Sequence, residues 1–473
     1  MTKPTIILAT SNGVGMGHLA RASAIALELK KYANPIIVSM AGGIAEIPEY
    51  LGIRVEYIPG RDRGWMEREK WDDYLRDRLM ALVDETGATV MSFDGVVPYP
   101  GVIAAKFSHP KLALVWVRRG LWQKKPQRFV LGMQSKMMDY IVEPGDIARA
   151  YDFGPTAKRD DATLTSPVSL YKKESALSRD DARKILGLDL NRPAVLVQLG
   201  TGDSDVNEKL TAALSGLIGW KDLQVILTKN PVDKDGNSLA PDGLDIRVVR
   251  HFPLARVLHA FDAGVSATGY NGVHENLPAQ LPTVFISNIR GTDDQEARAQ
   301  WCHDFGYAIR GNQADLHNIT VAVKKLQDPE VRAKLAAKCG ELPDTTGGEE
   351  IAKILFDLAS RGEPIRPSWI TYNRLRAQDH INRGKRHLAY VVLRRFSLLY
   401  RILRPYKKTV AIKQDAPIWS SATTAKELHP LIKGDARFEH LITDASETYI
   451  ARRKEIAEAA YGHRNEIINT RKS

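Results

Sequence analysis

The stretch Val248–Asn288, "VVRHFPLARVLHAFDAGVSATGYNGVHENLPAQLPTVFISN", decides the fold. Its apolar run Ala263–Ser266 leads into "ATGYNG", from which a helix starts near Asn271. That helix continues through "GVHENLPAQ" and stops before Leu281-Pro282, where a further apolar run, Thr283–Ile286, begins. Short apolar runs separated by helical stretches mark a parallel sheet covered on both faces. Ligands of such sheets gather beyond the carboxyl ends of the strands. Gly269 and Gly272 leave room there for backbone amides to approach a diphosphate at the helix start. Glu275 is expected within about the first turn, where the helix dipole steadies a carboxylate that can accept from two ribose hydroxyls. The plainer alternative is an ordinary acid at a helix start.

Working outward, the same alternation holds on both sides. Strands are expected at Ala194–Leu199, Gln224–Leu227 and Ile246–Val249, and a closing helix at Glu349–Ser360. Two loops face the same edge. "LGTGDSD", Leu199–Asp205, is rich in small residues and free amides, and "GTDDQEARAQ", Gly291–Gln300, carries Asp294 and Gln295 as candidate partners for sugar hydroxyls. A second alternating series occupies the N-terminal part, with strands at Thr5–Ala9, Pro35–Met40, Val55–Ile58, Thr89–Phe93, Leu112–Val117 and Tyr140–Val142. Helical spacing marks Leu19–Lys31 and Trp71–Thr86. Residues 150–192 are irregular apart from a short helix over Ser178–Leu186, capped by Ser178. The expected organisation is an N-terminal Rossmann-like domain (1–165), a second one (166–360) and a mostly helical basic extension (361–473).

The first strand runs into "TSNGVGMGHLARAS", Thr10–Ser23. Its glycines, Gly13, Gly15 and Gly17, read G-x-G-x-G, whereas the dinucleotide fingerprint requires G-x-G-x-x-G. The second strand ends "IIVSM" without a ribose-binding acid, and no Gly-Lys-Ser/Thr follows the loop, so a nicotinamide site is weakened and a P-loop excluded. His18 stands at the head of the following helix. The positive helix end disfavours an imidazolium there, which suits a neutral general base taking a proton from a hydroxyl. Asp94 closes the run "TVMSFD" at the same sheet edge and is the candidate to orient it. The alternatives are a tight turn capped by His18, and a turn cap at Asp94.

Bulk properties bound these readings. With 473 residues, 44% of them hydrophobic and 26% charged, the chain has the profile of a multidomain globular protein. No run of eighteen apolar residues is present, and "MTKPTIILAT" reads as a first strand, not a signal peptide. Cys302 and Cys339 match no disulfide framework or metal spacing, which points to a reducing cytoplasm. The net charge of +11 is regional: Arg361–Lys408 holds thirteen Lys/Arg against Glu363 and Asp379. Within it, Leu388, Val392, Phe396, Leu399 and Leu403 share one helical face, with Arg394, Arg401 and Arg404 opposite. That pattern over 385–408 fits an interfacial helix on anionic lipid, or a helix seated on the two-domain body. No nucleic-acid module accompanies the charge, so nucleic acid is not an expected partner.

Taken together, "GVGMGH" with Arg21, "SFDGVVPYPG", "VLVQLGTG" and the Val248–Asn288 block followed by "DDQEARA" resemble the GT-B nucleotide-sugar glycosyltransferases. The likeness runs from about residue 5 to 360 and is strongest to the MurG type (family 28-like) and the UDP-glycosyltransferases. It implies two Rossmann-like domains facing a cleft. In this family pattern the C-terminal domain binds the donor: His251 and Phe252 meet the base, and Glu275 meets the ribose. Gly269, Tyr270, Asn271 and Gly272, with Thr201 and Gly202, meet the diphosphate, and Asp294 and Gln295 face the sugar. The N-terminal domain binds the acceptor, with His18 as base and Asp94 as its partner, while Gly15 and Gly17 of its loop reach across to the donor. Tyr270 and Asn271 depart from the small hydroxyl residue usual there, and "NLPAQLP" replaces "ALAAGLP".

The resulting expectation is a metal-independent, inverting, cytoplasmic transferase without cofactor, peripheral on the inner face of the membrane. It would use a nucleotide-diphosphate sugar, UDP-linked by preference, and a glycan, lipid or small-molecule acceptor. A sugar-nucleotide 2-epimerase and a non-catalytic nucleotide-sugar or glycan-binding protein are the alternatives.

Overall fold

The computed structural model describes residues 3–11, 16–41, 51–60, 68–124, 131–200, 204–228, 243–249, 251–288 and 292–361, with isolated stretches as far as 381. Gly15, Thr201, Gly202 and the basic segment 385–408 lie outside the described residues.

Each alternating series builds its own parallel sheet. The first lobe contains β1 (Thr5–Thr10), α1 (Gly17–Leu29), β2 (Asn34–Ser39), β3 (Arg54–Tyr57), α2 (Arg68–Thr86) and β4 (Val90–Asp94). It continues with α3 (Pro100–Ser108), β5 (Ala113–Val117), α4 (Leu131–Ser135), β6 (Tyr140–Glu143) and β7 (Thr163–Leu164). Its strand order is β3-β2-β1-β4-β5-β6-β7, each neighbouring pair parallel. Ile6, Ile7, Leu8 and Ala9 are all buried, because helices cover both faces of this sheet.

The second lobe contains α5 (Arg179–Leu186), β8 (Ala194–Gln198), α6 (Ser204–Leu217), β9 (Gln224–Thr228), β10 (Asp245–Val249), β11 (Ala263–Ala267) and α7 (Tyr270–Asn276). Then follow β12 (Thr283–Ile286), α8 (Gln295–Asp304), β13 (Ile309–Gly311), α9 (Leu316–Lys324), α10 (Pro329–Cys339) and α11 (Gly347–Arg361). The strand order is β10-β9-β8-β11-β12-β13, again parallel. Ser178 caps α5, its hydroxyl accepting from Asp181 N.

Three features differ from expectation. The edge strands β7 and β13 carry no apolar run: one is two exposed residues and the other reads "IRG". α7 is shorter than expected and ends at Asn276. Pro278 has no N–H to continue the ladder, so the chain leaves the helix in turns. Finally, α11 returns to the first lobe. Ile351, Ala352 and Leu355 join the core that holds Ile6, Leu8 and Ile25, and Gly347 N donates to Pro167 O at 3.1 Å. The span 166–360 therefore gives its last helix to the first sheet.

The described start of the extension also belongs to the first lobe. Tyr372 and Leu375 pack on its core beside Phe107, while Trp369 and Ile370 stay exposed. Among the described residues no helix is long and apolar enough to cross a membrane.

Candidate active site

The carboxyl edge of the first sheet brings His18 and Asp94 together. Parallel register sets Asp94, the last residue of β4, level with Thr10 of β1, and Ser11 N bonds to Asp94 O at 2.8 Å. The loop from β1 then returns the chain so that His18 falls in the first turn of α1. His18 Nδ1 lies 2.7 Å from Asp94 Oδ1. Arg21, one turn further along α1, donates from Nε to Asp94 Oδ2 at 2.7 Å and from Nη2 to Oδ1 at 2.5 Å. Burial alone would raise the Asp94 carboxyl, but the Arg21 guanidinium and His18 outweigh it and hold it at about 2. An ionised carboxylate at that distance accepts a hydrogen bond from Nδ1–H, which leaves Nε2 as the basic nitrogen. The His18 side chain keeps 15% of its surface exposed, against 4% for Asp94 and 2% for Arg21, so of the three it is the one ligands can reach.

The head of α7 meets this group from the other lobe. Asn271 Nδ2 donates to Gly17 O at 3.1 Å, and Arg21 lies 5.0 Å from the centre of the Tyr270 ring. The amino ends of α1 and α7 thus converge, both with positive dipole ends. Among the described residues a methyl group added at Gly17 or at Gly269, the N-cap of α7, would meet no atom within 4 Å, so none of those neighbours demands a glycine and the side facing them is open.

Glu275 is the sixth of the seven residues of α7, in its last turn, so the expected support from the helix dipole is absent. Among the described residues none gives it a hydrogen bond or counter-charge. Burial pushes this half-buried carboxyl up to about 8. Tyr270 also differs from expectation. It is buried, and its hydroxyl donates to Gly145 O at 2.8 Å and accepts from Val168 N at 2.9 Å, so the side chain serves the lobe contact. Gln295 is 5% exposed, with Oε1 accepting from Asn288 N and Nε2 donating to Asp293 Oδ2, so it lies beneath its loop and is not presented by it. Asp294 caps α8 through Ala297 N. His251 and Phe252 are half-buried just past the carboxyl end of β10, and Gly272 lies one turn into α7, 3.4 Å from Ala267 O on its would-be side-chain side.

A buried ionic seam, not anticipated from sequence, runs behind these groups. Arg298 of α8 donates to Asp146 of the first lobe at 2.7 Å, to Asp293 at 3.1 Å and to Thr268 O at 2.7 Å. Burial would lower the Arg298 guanidinium, yet Asp146 and Asp293 hold it above its ordinary range. Arg119, just beyond β5, faces Asp293 at 3.5 Å. His274 accepts at Nε2 from Ile147 N (3.1 Å) and donates from Nδ1 to Tyr270 O (2.7 Å). Burial holds it neutral, down to about 4, with Asp146 acting weakly in the opposite sense. The antiparallel bridge Trp122–Asp293 extends the seam, and Leu121, in left-handed backbone (φ 52°), accepts from Asp294 N at 3.0 Å. Only Arg21 carried a sequence signal, because it lies three residues after His18 on one helical face. The others come from helices and loops far apart in the sequence.

Known proteins agree with this architecture. No family model matches the chain. Among solved structures it is similar to the glycosyltransferase SnogD from Streptomyces nogalater, with TM-score 0.51 and 15% identity over 76% of this chain and all of that one. It is also similar to a UDP-N-acetylglucosamine 2-epimerase, with TM-score 0.50 and 14% identity over 78% of this chain and all of that one. These likenesses establish the shared fold. The chain is a glycosyltransferase of the GT-B fold. Within that class it is related to the MurG type. It is 25% identical over 290 residues to the UDP-N-acetylglucosamine–N-acetylmuramyl-(pentapeptide) pyrophosphoryl-undecaprenol N-acetylglucosamine transferase of Cutibacterium acnes (strain DSM 16379 / KPA171202), covering 58% of this chain and 74% of that one.

Proposed function

We propose that the protein transfers a sugar from a UDP-linked donor to an acceptor hydroxyl with inversion at the anomeric carbon. The observation that carries this reading is the His18–Asp94 pair set against the head of α7, with the open sides of Gly17 and Gly269 beside it. The acceptor oxygen attacks the anomeric carbon as its proton passes to His18 Nε2. The bond from that carbon to the diphosphate oxygen breaks, and its electron pair leaves with UDP. Asp94 stabilises the imidazolium formed in this step. Backbone amides at the α7 head face the charge that develops on the leaving diphosphate, so the chemistry proceeds without a bound metal. Glu275, whose carboxyl has no partner among the described residues, accepts from the ribose hydroxyls once ionised. Asp294 faces the sugar, and His251 and Phe252 face the base.

The Cutibacterium acnes relative is named for an acceptor linked to pyrophosphoryl-undecaprenol, a lipid. A lipid-linked hydroxyl is therefore the first acceptor class to test, with glycans and small molecules after it. Access to such an acceptor suits a cytoplasmic enzyme that docks on the inner face of the membrane through 385–408.

The test has two stages. Thermal shift with UDP, dTDP, GDP and their sugars names the donor base: UDP should give the largest stabilisation, and no response to any nucleotide refutes the proposal. Product analysis then separates transfer from epimerisation, because an epimerase returns an isomerised nucleotide sugar and needs no acceptor.

A further inference from the structure

Arg21 is a fully engaged side chain with an unusual neighbour. Its fork holds both oxygens of Asp94, and Nη2 comes within 3.2 Å of His18 Nδ1. Two N–H groups cannot bond to each other, so the Arg21–His18 approach is a consequence of their common hold on Asp94. Those two bonds hold the guanidinium from one side, and among the described residues an aromatic wall holds it from the other. That wall is the Tyr270 ring, 5.0 Å away, contributed by the second lobe. A ring face attracts a cation and also fixes its plane. Tyr270 is itself immobilised at both ends. Its hydroxyl is tied to Gly145 O and Val168 N, its ring lies 4.3 Å from that of His274, and its carbonyl accepts from His274 Nδ1.

We propose that Tyr270 is a positioning residue, whose ring holds Arg21 in the plane that fixes Asp94 and thereby His18, so that the base is set only while the donor-side helix is seated against the first lobe. The inference rests on the reading of His18 as the base. It explains why a large aromatic, its hydroxyl already engaged by the protein, stands first in α7.

Among the described residues Asp94 on β4 and Arg21 on α1 contact the His18 ring, and from α7 Tyr270 faces Arg21 while Asn271 donates to Gly17 O. Asp293 and His274 act on Arg21 from farther away. If Arg21 swings away, Asp94 faces the imidazole uncompensated and the protonated form is favoured.

The test follows the His18 titration by NMR of histidine-labelled full-length protein, with the signal assigned by its loss in H18Q. Y270L and R21Q should each raise the midpoint above that of wild type, because Asp94 is then left to face the imidazole without Arg21. Y270F keeps the ring and should leave the midpoint at the wild-type value. In the R21Q background Y270L should add nothing further, since the residue it positions is gone. A role confined to the tyrosine hydroxyl predicts the opposite pattern: Y270F destabilised as much as Y270L, with neither moving the midpoint. That result, additivity in the double variant, or a Y270F midpoint displaced as far as in R21Q overturns the proposal. Should Y270L not fold, Y270M, which also removes the ring face, takes its place with the same expectation, and a midpoint unchanged from wild type in the folded ringless variant overturns the proposal. No donor or turnover enters this measurement, so failure to bind UDP bears on the proposed activity and not on this result.

Discussion

Replacing Glu275 by glutamine should stabilise the protein above neutrality and weaken its hold on the donor. In the free protein burial lifts this carboxyl from 4.5 to about 8. An unfolded chain ionises it near the ordinary value. Between the two, the folded state keeps a proton that the unfolded state has lost, so stability falls as pH rises through that window. At 1.36 kcal/mol per pH unit the whole displacement sets a ceiling of about 5 kcal/mol. Glu275 is only half-buried, and solvent screening reduces the expected cost to about 2 kcal/mol. Denaturant unfolding of wild type and E275Q checks this. The two should nearly coincide near pH 5, with E275Q gaining steadily up to about pH 9. A gap that is independent of pH, or that widens toward acid, refutes the reasoning.

The same carboxyl links protonation to binding. Ribose hydroxyls that donate to Glu275 favour its charged form, so UDP must displace the proton. Calorimetry at about pH 7.5 in two buffers of different ionisation enthalpy should show release of most of one proton in wild type and almost none in E275Q. Equal proton release in both proteins would remove Glu275 from the ribose site, whatever the affinities.

Three further outcomes are expected. H18Q should lose transfer by about 100-fold or more while UDP affinity stays within about twofold, and D94N should fall comparably because an amide can stabilise the wrong imidazole tautomer; steady-state rates beside UDP titrations check both. R298M leaves Asp146 and Asp293 buried without their shared cation and should cost about 3–5 kcal/mol in unfolding experiments, with D146N/R298M recovering part of the loss. Wild type should lose about 3 kcal/mol as pH falls from 6.5 toward 4, because the unfolded chain protonates His274 before the folded one does. In H274Q that limb of the stability curve should flatten.

What the sequence made legible follows from the range of the forces involved. Apart from β7, the strands from Thr5 to Ile286 are local apolar runs, and the structure places them to within a residue or two. His18 was readable because a helix head is announced by the glycines before it, and Asp94 because a strand end is announced by the residues that precede it. Glu275 was placed in the right helix but in the wrong turn. The helix start, Tyr270, and the stop at Pro278 together leave room for only seven residues. The seam could not be read in advance, since Asp146 and Arg298 are 152 positions apart and each sits in a segment of ordinary polar composition. Sequence patterns report which face of an element is apolar. They do not report which buried charge on one lobe meets which on the other.

Charge pairing in the seam bears on how the site is held ready. Arg119 and Asp146 come from the first lobe, and Arg298 and Asp293 from the second. Each guanidinium faces a carboxylate of the opposite lobe, so a register shift between the lobes would leave buried charges unmatched on both sides. Such pairs add little net stability once desolvation is counted. Their consequence is geometric, because mismatched arrangements are penalised far more than the matched one is favoured. The matched arrangement sets Tyr270 against Arg21 and Asn271 against Gly17. His18 and the head of α7 are therefore held at one separation before any substrate arrives. A reaction joining a hydroxyl from one lobe to a sugar held by the other gains most from a separation fixed in advance, since orientation lost in solution need not be recovered at the transition state.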